Sequence, residues 1–166
     1  MKSLFIIRHG KAEPREGKKA HSDADRQLTA EGAREMEQCG RALGRLAHVE
    51  VVLTSPLSRA FQTAKRIAAG MRPPPKLVEL EELAPIQDLL RVVELINRRK
   101  EESIAIVGHE PDMSRLASFL LTGRQAMRVD FKKGAICRID LAQAGPGAGT
   151  LAWFAPPRIM RAMGRP

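Results

Sequence analysis

The sequence predicts an α/β domain with a largely parallel central sheet. Two observations carry this prediction: strand-like and helix-like segments alternate along most of the chain, and the strand-like segments are unbroken apolar runs, as in strands covered on both faces. The 166 residues, 43% of them hydrophobic and 28% charged, suffice for one domain with a core of useful size. We expect residues 1–157 to form this domain and residues 158–166 a frayed basic tail.

The first predicted elements are a strand, a loop and a helix. Ser3–Ile7 is apolar throughout, and the polar, aperiodic stretch Lys11–Gln27 predicts a loop or lid. Thr29 then suits a helix N-cap, with Glu31 in the first turn. Small and apolar residues follow at steps of three and four up to Ala47, which predicts an amphipathic helix.

The middle of the chain repeats this alternation. Val51–Thr54 predicts a second strand, and Ser55 followed by Pro56 predicts a helix start, as N-cap and first helical residue. Gly70 suits the end of that helix. After the stiff connector RPPPK and a short acidic stretch, Pro85–Arg99 has the apolar period of a helix.

The last third predicts one more strand and helix, and then two further strands. Ser103–Val107 is an apolar run, and Pro111 suits the first turn of a helix that ends near Gly123. Ala135–Leu141 and Thr150–Phe154 predict strands joined by the turn-rich AQAGPGAG.

The composition favours anionic partners. A net charge of +9 attracts phosphate esters, phosphoproteins, nucleic acids or acidic membranes. Aromatic residues make up only 4%, without tyrosine, which supplies a base-stacking surface poorly. No apolar run is long enough for a membrane helix or a signal peptide. We therefore expect a cytoplasmic monomer without nucleic-acid or membrane partners, and a generally basic surface is the simpler interpretation of the charge.

The two cysteines, Cys39 and Cys137, indicate neither a metal site nor a cysteine nucleophile. Neither lies in a C-x-x-C pair or at zinc-ligand spacing. Arg138 follows Cys137 directly, which leaves no phosphate-binding loop between a cysteine and an arginine. We expect no metal and no cofactor.

Chemically useful side chains follow three of the predicted strands. Arg8 and His9 come directly after the first, Arg59 lies in the first turn of the helix after the second, and His109 follows the third. The carboxyl ends of parallel strands bind ligands. If these strands are neighbours, two arginines and two histidines meet at one edge of the sheet.

Such a cluster suits a phosphoryl group. Guanidinium groups bind phosphate oxygens, and a neutral histidine can attack phosphorus. Neighbouring cations keep that histidine neutral by lowering its pKa. A leaving group that departs as an alkoxide also needs a proton donor, and the position of four carboxylates leaves the choice open: Glu13, Glu82, Asp88 and Glu110.

Three motifs resemble the histidine phosphatase superfamily, which includes the cofactor-dependent phosphoglycerate mutases. They are RHG, SPLSRAFQTA and GHEP, each after a predicted strand, and the resemblance covers roughly Lys2 to Phe154. The short chain, LTAEG at Leu28–Gly32 and ELAP at Glu82–Pro85 are most similar to the SixA-type phosphohistidine phosphatases.

This resemblance implies a three-layer α/β/α sandwich with a mostly parallel sheet. It implies that His9 is the phosphorylated nucleophile and that Arg8, Arg59 and His109 hold the phosphoryl group. Glu82 falls where larger members place a proton donor, which SixA-type proteins do not clearly require. We expect Gly10 to keep the pocket free of a side chain.

Three functions stay open at this stage. The first is a metal-independent phosphatase that removes phosphate from phosphohistidine in a partner, such as a histidine-containing phosphotransfer protein. The second is a phosphomonoesterase acting on a small metabolite, and the third is a non-catalytic module that binds polyanions. Other residues have simpler interpretations: Ser55 and Pro56 as structural residues, and Lys11, Lys18 and Lys19 as solvated loop charges.

Overall fold

The structure is a computed structural model that describes residues 1–16 and 22–166, so the predicted loop lysines Lys18 and Lys19 lie outside the described residues. The strands of this part of the chain are β1 (Lys2–Arg8), β2 (Val51–Thr54), β3 (Lys76–Glu79), β4 (Ser103–Gly108), β5 (Ile136–Leu141) and β6 (Gly149–Ala155). Its α-helices are α1 (Ala30–Leu46), α2 (Ser58–Ala69), α3 (Leu89–Arg98), α4 (Asp112–Thr122) and α5 (Pro157–Met163). A short 3-10 helix covers Glu81–Leu83. No helix in the described ranges is both long and apolar enough to cross a membrane.

The strands form one mixed sheet in the order β3-β2-β4-β1-β5-β6. β3, β2, β4 and β1 are parallel neighbours, and β5 is antiparallel to both β1 and β6. The prediction of a mostly parallel sheet is therefore confirmed. Arg8 pairs with Gly108, and Thr54 pairs with Val107. The carboxyl ends of β1, β4 and β2 thus lie side by side at one edge.

Both faces of the sheet are covered, which explains the unbroken apolar run of the first strand. Leu4 and Ile6 belong to a core shared with α3 and α4. Phe5 and Ile7 point the other way, into a core shared with α1, α2 and α5. All four side chains are fully buried. This is the three-layer arrangement that the family resemblance implied.

The predicted start of α1 is confirmed. The hydroxyl oxygen of Thr29 accepts a hydrogen bond from the backbone N–H of Gly32 at 2.9 Å, and Glu31 lies in the first turn. Such a cap satisfies one of the unpaired N–H groups that begin every helix.

The predicted start of the next helix is wrong. α2 begins at Ser58, with Leu57 as an N-cap that makes no side-chain capping bond. The hydroxyl of Ser55 accepts from the N–H of Leu57 at 3.2 Å and lies 2.8 Å from Nε2 of His109. Ser55 therefore closes a turn before the helix and contacts the neighbouring strand end, and Pro56 lies within that turn.

The predicted helix Pro85–Arg99 is shorter than its apolar period indicated. Ile86 has a φ of +62°, which no helical residue adopts. Asp88 instead caps α3 by accepting from the N–H of Leu90 at 2.9 Å. β3 was not predicted, because this short edge strand is only partly buried and has no continuous apolar run.

The prediction of a frayed C-terminal tail is wrong, because most of that segment forms α5. Met160 is fully buried in the core beside α1, and Arg161 is ion-paired with Glu35 of α1. Arg41 Nε donates to the carbonyl of Gly164 at 2.9 Å. The segment is therefore held onto the domain from both sides: its Arg161 pairs with an acidic residue of α1, and arginines of α1 donate to its backbone carbonyls.

Candidate active site

His9 is fixed at the carboxyl end of β1 by backbone hydrogen bonds on both sides. Its N–H donates to the carbonyl of Gly108 at 3.0 Å, and the N–H of Gly134 is 3.0 Å from the carbonyl oxygen of Arg8 and 3.1 Å from that of His9. The side chain is only 6% exposed. The ring is therefore held where three polypeptide segments meet.

The hydrogen bond of the His9 ring determines its tautomer. Nδ1 lies 2.8 Å from the carbonyl oxygen of Gly10. A carbonyl oxygen only accepts, so Nδ1 must carry the hydrogen and Nε2 of the neutral ring is left with its lone pair. The pKa of His9 is lowered to about 3, chiefly by burial, with the bond to Gly10 opposing the shift and the charges of His109, Arg59 and Arg8 adding to it. The ring is therefore neutral at pH 7.

His109 lies next to His9, with ring centroids 5.2 Å apart and an interplanar angle of 54°. It is 3% exposed, and its Nε2 is 2.8 Å from the hydroxyl of Ser55. Burial lowers the pKa of His109 to about 4, helped by Arg59 and Arg26 and opposed by Asp23. Both histidines are thus neutral bases in a positive field.

Arg59 reaches the same place from the first turn of α2. Its side chain is 3% exposed, and it pairs with Asp23: Nη1 donates to the backbone carbonyl at 2.7 Å and Nη2 to the carboxylate at 3.1 Å. Thr63 joins this helix to the loop after β1, because its hydroxyl donates to the carbonyl of Arg59 and accepts from the N–H of Gly10. The cation and the His9 segment are thereby held in a fixed relation.

Arg8 is oriented by the loop between α4 and β5. Its Nη1 donates to the carbonyl of the buried Phe131 at 2.7 Å. The Arg8 cation contributes to the lowered pKa of both His9 and His109. The structure therefore brings together the four residues predicted to handle the phosphoryl group: Arg8, His9, Arg59 and His109.

Sequence reasoning missed a second pair of residues behind this cluster. Arg26 is 9% exposed, and its Nε donates to the Asp23 carboxylate at 2.9 Å while Nη1 donates to the carbonyl of Glu13 at 3.0 Å. Asp23 therefore bridges two buried arginines, Arg26 and Arg59. The available signal was weak: an Asp and an Arg three residues apart, just before LTAEG, in a loop without any period.

The predicted proton-donor candidates lie apart from this cluster or have structural partners. Glu82 is half-buried in the 3-10 helix and lines a cavity of about 350 Å³ beside Asp112 and Met113. Within the described residues, no hydrogen bond or ion pair joins its carboxylate to the four clustered residues. Glu110 accepts from the N–H of Ser114 at 3.0 Å in the first turn of α4, and Asp88 caps α3.

One prediction about the loop after β1 is wrong. A Cβ on Gly10 would lie 2.7 Å from Cγ of Met36, on the core side of the loop. Gly10 is therefore needed for packing against Met36 and does not serve to keep the pocket open. Lys11 is exposed, as predicted, and its ammonium also lies 2.8 Å from the carboxylate of Glu31.

Two neutral histidines and two arginines at the edge of a parallel sheet have the chemistry that suits a tetrahedral phosphoryl group. A family model described as the histidine phosphatase superfamily (branch 1) matches residues 4–87, about half of the chain. The chain belongs to the histidine phosphatase superfamily, and it is a phosphatase.

Its relatives within the superfamily include the phosphohistidine phosphatase SixA of Escherichia coli K12. The two are 30% identical over 158 residues, which cover 93% of each chain. An uncharacterized protein of Picosynechococcus sp. is 33% identical over 138 residues, 80% of this chain and 81% of that one. A solved structure of the protein histidine phosphatase SixA complexed with tungstate aligns with a TM-score of 0.80 and 29% identity, covering 95% of this chain and 99% of that one.

Proposed function

We propose that this protein is a metal-independent phosphohistidine phosphatase that removes phosphate from a histidine of a partner protein. The observation that carries the proposal is the hydrogen bond from Nδ1 of His9 to the Gly10 carbonyl. It leaves Nε2 unprotonated beside two guanidinium groups, so a nucleophile and an anion site occur together. Roles for Arg8, His9, Arg59 and His109 follow from this arrangement.

In the first step, Nε2 of His9 attacks the phosphorus atom of the substrate. The new N–P bond forms as the bond from phosphorus to the substrate imidazole breaks, and its electron pair leaves with that imidazole. Arg8 and Arg59 stabilise the negative charge on the phosphoryl oxygens in the transition state. His109 adds a polar contact from the other side of the pocket. These guanidinium groups provide positive charge that a metal ion provides in other phosphatases.

In the second step, a water molecule attacks phosphorus and the bond to Nε2 breaks. The electron pair returns to Nε2, inorganic phosphate leaves, and the proton released by water passes to phosphate or solvent. His9 is again a neutral imidazole with its hydrogen on Nδ1, because the Gly10 carbonyl holds that tautomer throughout.

The protonation state of the carboxylate at the site favours phosphohistidine over an alkyl phosphate as the substrate. Asp23 is the carboxylate that contacts the site cations, and although burial alone would raise its pKa, Arg59, Arg26 and Arg15 lower it overall. An ionised Asp23 has no proton to give. A phosphohistidine can carry a proton on its other ring nitrogen and so release a neutral imidazole, whereas an alkoxide needs an acid from the enzyme. The similarity to SixA supports the same substrate class.

The direct test uses a phosphorylated histidine-containing phosphotransfer domain as substrate, with and without a chelator. We expect release of inorganic phosphate that is insensitive to the chelator and is abolished in His9→Asn. His48→Asn is the matched control, because His48 is exposed and lies between α1 and β2. Rapid quenching should trap an acid-labile phosphoenzyme in the parent protein. Persistence of the substrate phosphate, with brisk cleavage of p-nitrophenyl phosphate, would contradict the substrate assignment.

Glu82→Gln separates the proposed function from hydrolysis of a small phosphomonoester. A general acid contributes about 10²- to 10⁴-fold to such reactions, so an alkyl phosphatase relying on Glu82 would lose activity on that scale. For phosphohistidine we expect kcat to change by less than about threefold, because no enzyme acid is required. A non-catalytic polyanion-binding module would give no phosphoenzyme in either variant.

A further inference from the structure

The loop between α4 and β5 carries a lysine that the mechanism does not use. Lys133 immediately precedes Gly134, whose N–H bonds to the carbonyls of Arg8 and His9. Two residues earlier in the loop, the carbonyl of Phe131 accepts from Arg8. The backbone on both sides of Lys133 is therefore tied to the end of β1, and this exposed side chain starts from a fixed point beside the site.

Lys133 lies in the field of several other cations. Burial of part of the side chain lowers the pKa of Lys133, and the neighbouring charges of Arg8, Arg26 and Lys11 lower it further. Within the described residues, Lys133 makes no salt bridge, whereas the adjacent Lys132 is 2.9 Å from the carboxylate of Asp130. Lys11 and Arg26 are offset in part by Glu31 and Asp23. Because Arg26 is buried, we call only the exposed pair Lys11 and Lys133 the basic rim.

Holding like charges together costs free energy that an incoming anion recovers. The phosphoryl group supplies one anion, and it sits among the side chains of His9, His109, Arg8 and Arg59 according to the proposed function. Lys133 is exposed on the loop outside that cluster, so its natural partner is a second anion close to the first. On a protein substrate, the anions next to a phosphohistidine are the carboxylates of aspartate and glutamate.

We propose that the basic rim binds carboxylates that flank the phosphohistidine on an acidic protein surface, with Lys133 as its principal contact. The inference rests on the proposed function, and it adds the charge character of the partner. An exposed rim charge acts mainly on the association rate and on its dependence on salt. The chain's net charge of +9 acts in the same direction at longer range.

The test compares two synthetic phosphohistidine peptides, one with aspartate and glutamate at the flanking positions and one with serine and glutamine. We expect the protein to favour the acidic peptide in kcat/KM, and we expect 0.5 M salt to reduce that preference. Lys133→Gln should reduce kcat/KM for the acidic peptide about 2- to 5-fold more than for the neutral one, the range measured for exposed ion pairs. Lys133→Arg should retain the preference, and Lys133→Glu should reduce it further.

Lys132→Gln is the matched control, because Lys132 is the neighbouring residue, is exposed and already has Asp130 as its partner. If Lys132→Gln and Lys133→Gln reduced the preference for the acidic peptide equally, the proposal of a basic rim would be wrong, and the preference would come from the general surface charge. Equal rates for the two peptides in the parent protein would overturn it as well, with the phosphatase activity intact. If neither peptide lost its phosphate, the proposed function itself would fall, and the rim would fall with it.

Discussion

Acidification should destabilise the folded protein through its two buried histidines. His9 and His109 have a pKa of about 3 and about 4 in the folded state, against about 6.5 in an unfolded chain. Between these values the unfolded chain binds more protons than the folded one, so stability falls as the pH falls. The contribution is fully present above pH 6.5 and is lost on the way down to the folded pKa values.

The size of the effect follows from the proton uptake of the unfolded chain. Below the unfolded pKa of about 6.5, each histidine lowers the free energy of unfolding by about 1.36 kcal/mol per pH unit. Between pH 7.5 and pH 5 this applies over roughly one and a half units, which gives about 2 kcal/mol for each histidine. The two together cost about 4 kcal/mol, a large part of the 5 to 15 kcal/mol typical of a domain. For a chain of this size, 1 kcal/mol shifts Tm by about 2 to 4 °C, which predicts a fall in Tm of about 10 °C.

The assay is urea unfolding at pH 7.5, 6.5, 5.5 and 5.0 in buffers free of phosphate and sulfate. His9→Gln should lose about half as much stability over this range as the parent protein, because one of the two buried bases is gone. His48→Gln replaces an exposed histidine and should follow the parent curve. An identical loss in the parent and in His9→Gln would refute the reasoning, since His9 would then titrate alike in both states.

Three further predictions concern the residues that support the site. Asp23→Asn should lower kcat/KM about tenfold, because two buried arginines lose the carboxylate that orients them, and Asp23→Glu should restore part of it; an unchanged kcat/KM would show that other contacts suffice. Ser55→Ala should lower kcat several-fold and Tm by only about 2 to 4 °C, since it removes the roughly 1 kcal/mol hydrogen bond to His109, and a loss in Tm with unchanged kcat would contradict this. Gly40→Ala should cost more than about 2 kcal/mol in urea unfolding, because its Cβ would lie 2.2 Å from the carbonyl oxygen of Ile67; Gly44→Ala in the same helix, with its nearest contact at 3.4 Å, is the control that should be tolerated.

The sequence predicted the sheet well because burial determines its pattern. Three of the six strands, β1, β2 and β4, are continuous apolar or nearly apolar segments, and Val51–Thr54 was predicted with the residues that the structure gives to β2. Short strands buried on both faces leave no other interpretation once helices alternate with them. β3 was missed because it lies at the edge of the sheet with its end residues exposed, so its sequence lacks the apolar pattern that burial imposes.

The helix starts were predicted less well where residues typical of a helix start make tertiary contacts instead. Ser55 and Pro56 have the residue types of a helix start, but the hydroxyl of Ser55 also reaches His109 of another strand. Pro85 favours a helix start as well, yet Ile86 adopts a positive φ while its N–H donates to the carboxylate of Asp112 at 2.7 Å. Both contacts join residues distant in sequence, so no local pattern could reveal them.

The same distinction separates the predicted from the missed residues of the site. Arg8, His9 and His109 stand directly at strand ends, and Arg59 lies one helical turn beyond another, so topology alone brings them together. Asp23 and Arg26 come from a loop without periodicity, and their importance arises from the burial of Arg26 and from bonds to Arg59 and Glu13. Their place depends on how that loop folds over the sheet edge, which is a tertiary property.

The charges of the site serve two demands that would conflict in water. A phosphoryl group requires cations, and a histidine nucleophile must remain unprotonated. Burial and the charges of Arg59 and Arg8 lower the pKa of His9, and in the proposed function the same two arginines hold the phosphoryl group, so one arrangement would meet both demands. The cost is a buried cation, Arg59, that needs a counter-ion, and the carboxylate of Asp23 supplies it at 3.1 Å while it also pairs with Arg26 at 2.9 Å. A second carboxylate bound to the same guanidinium group would compete with the phosphoryl group for it.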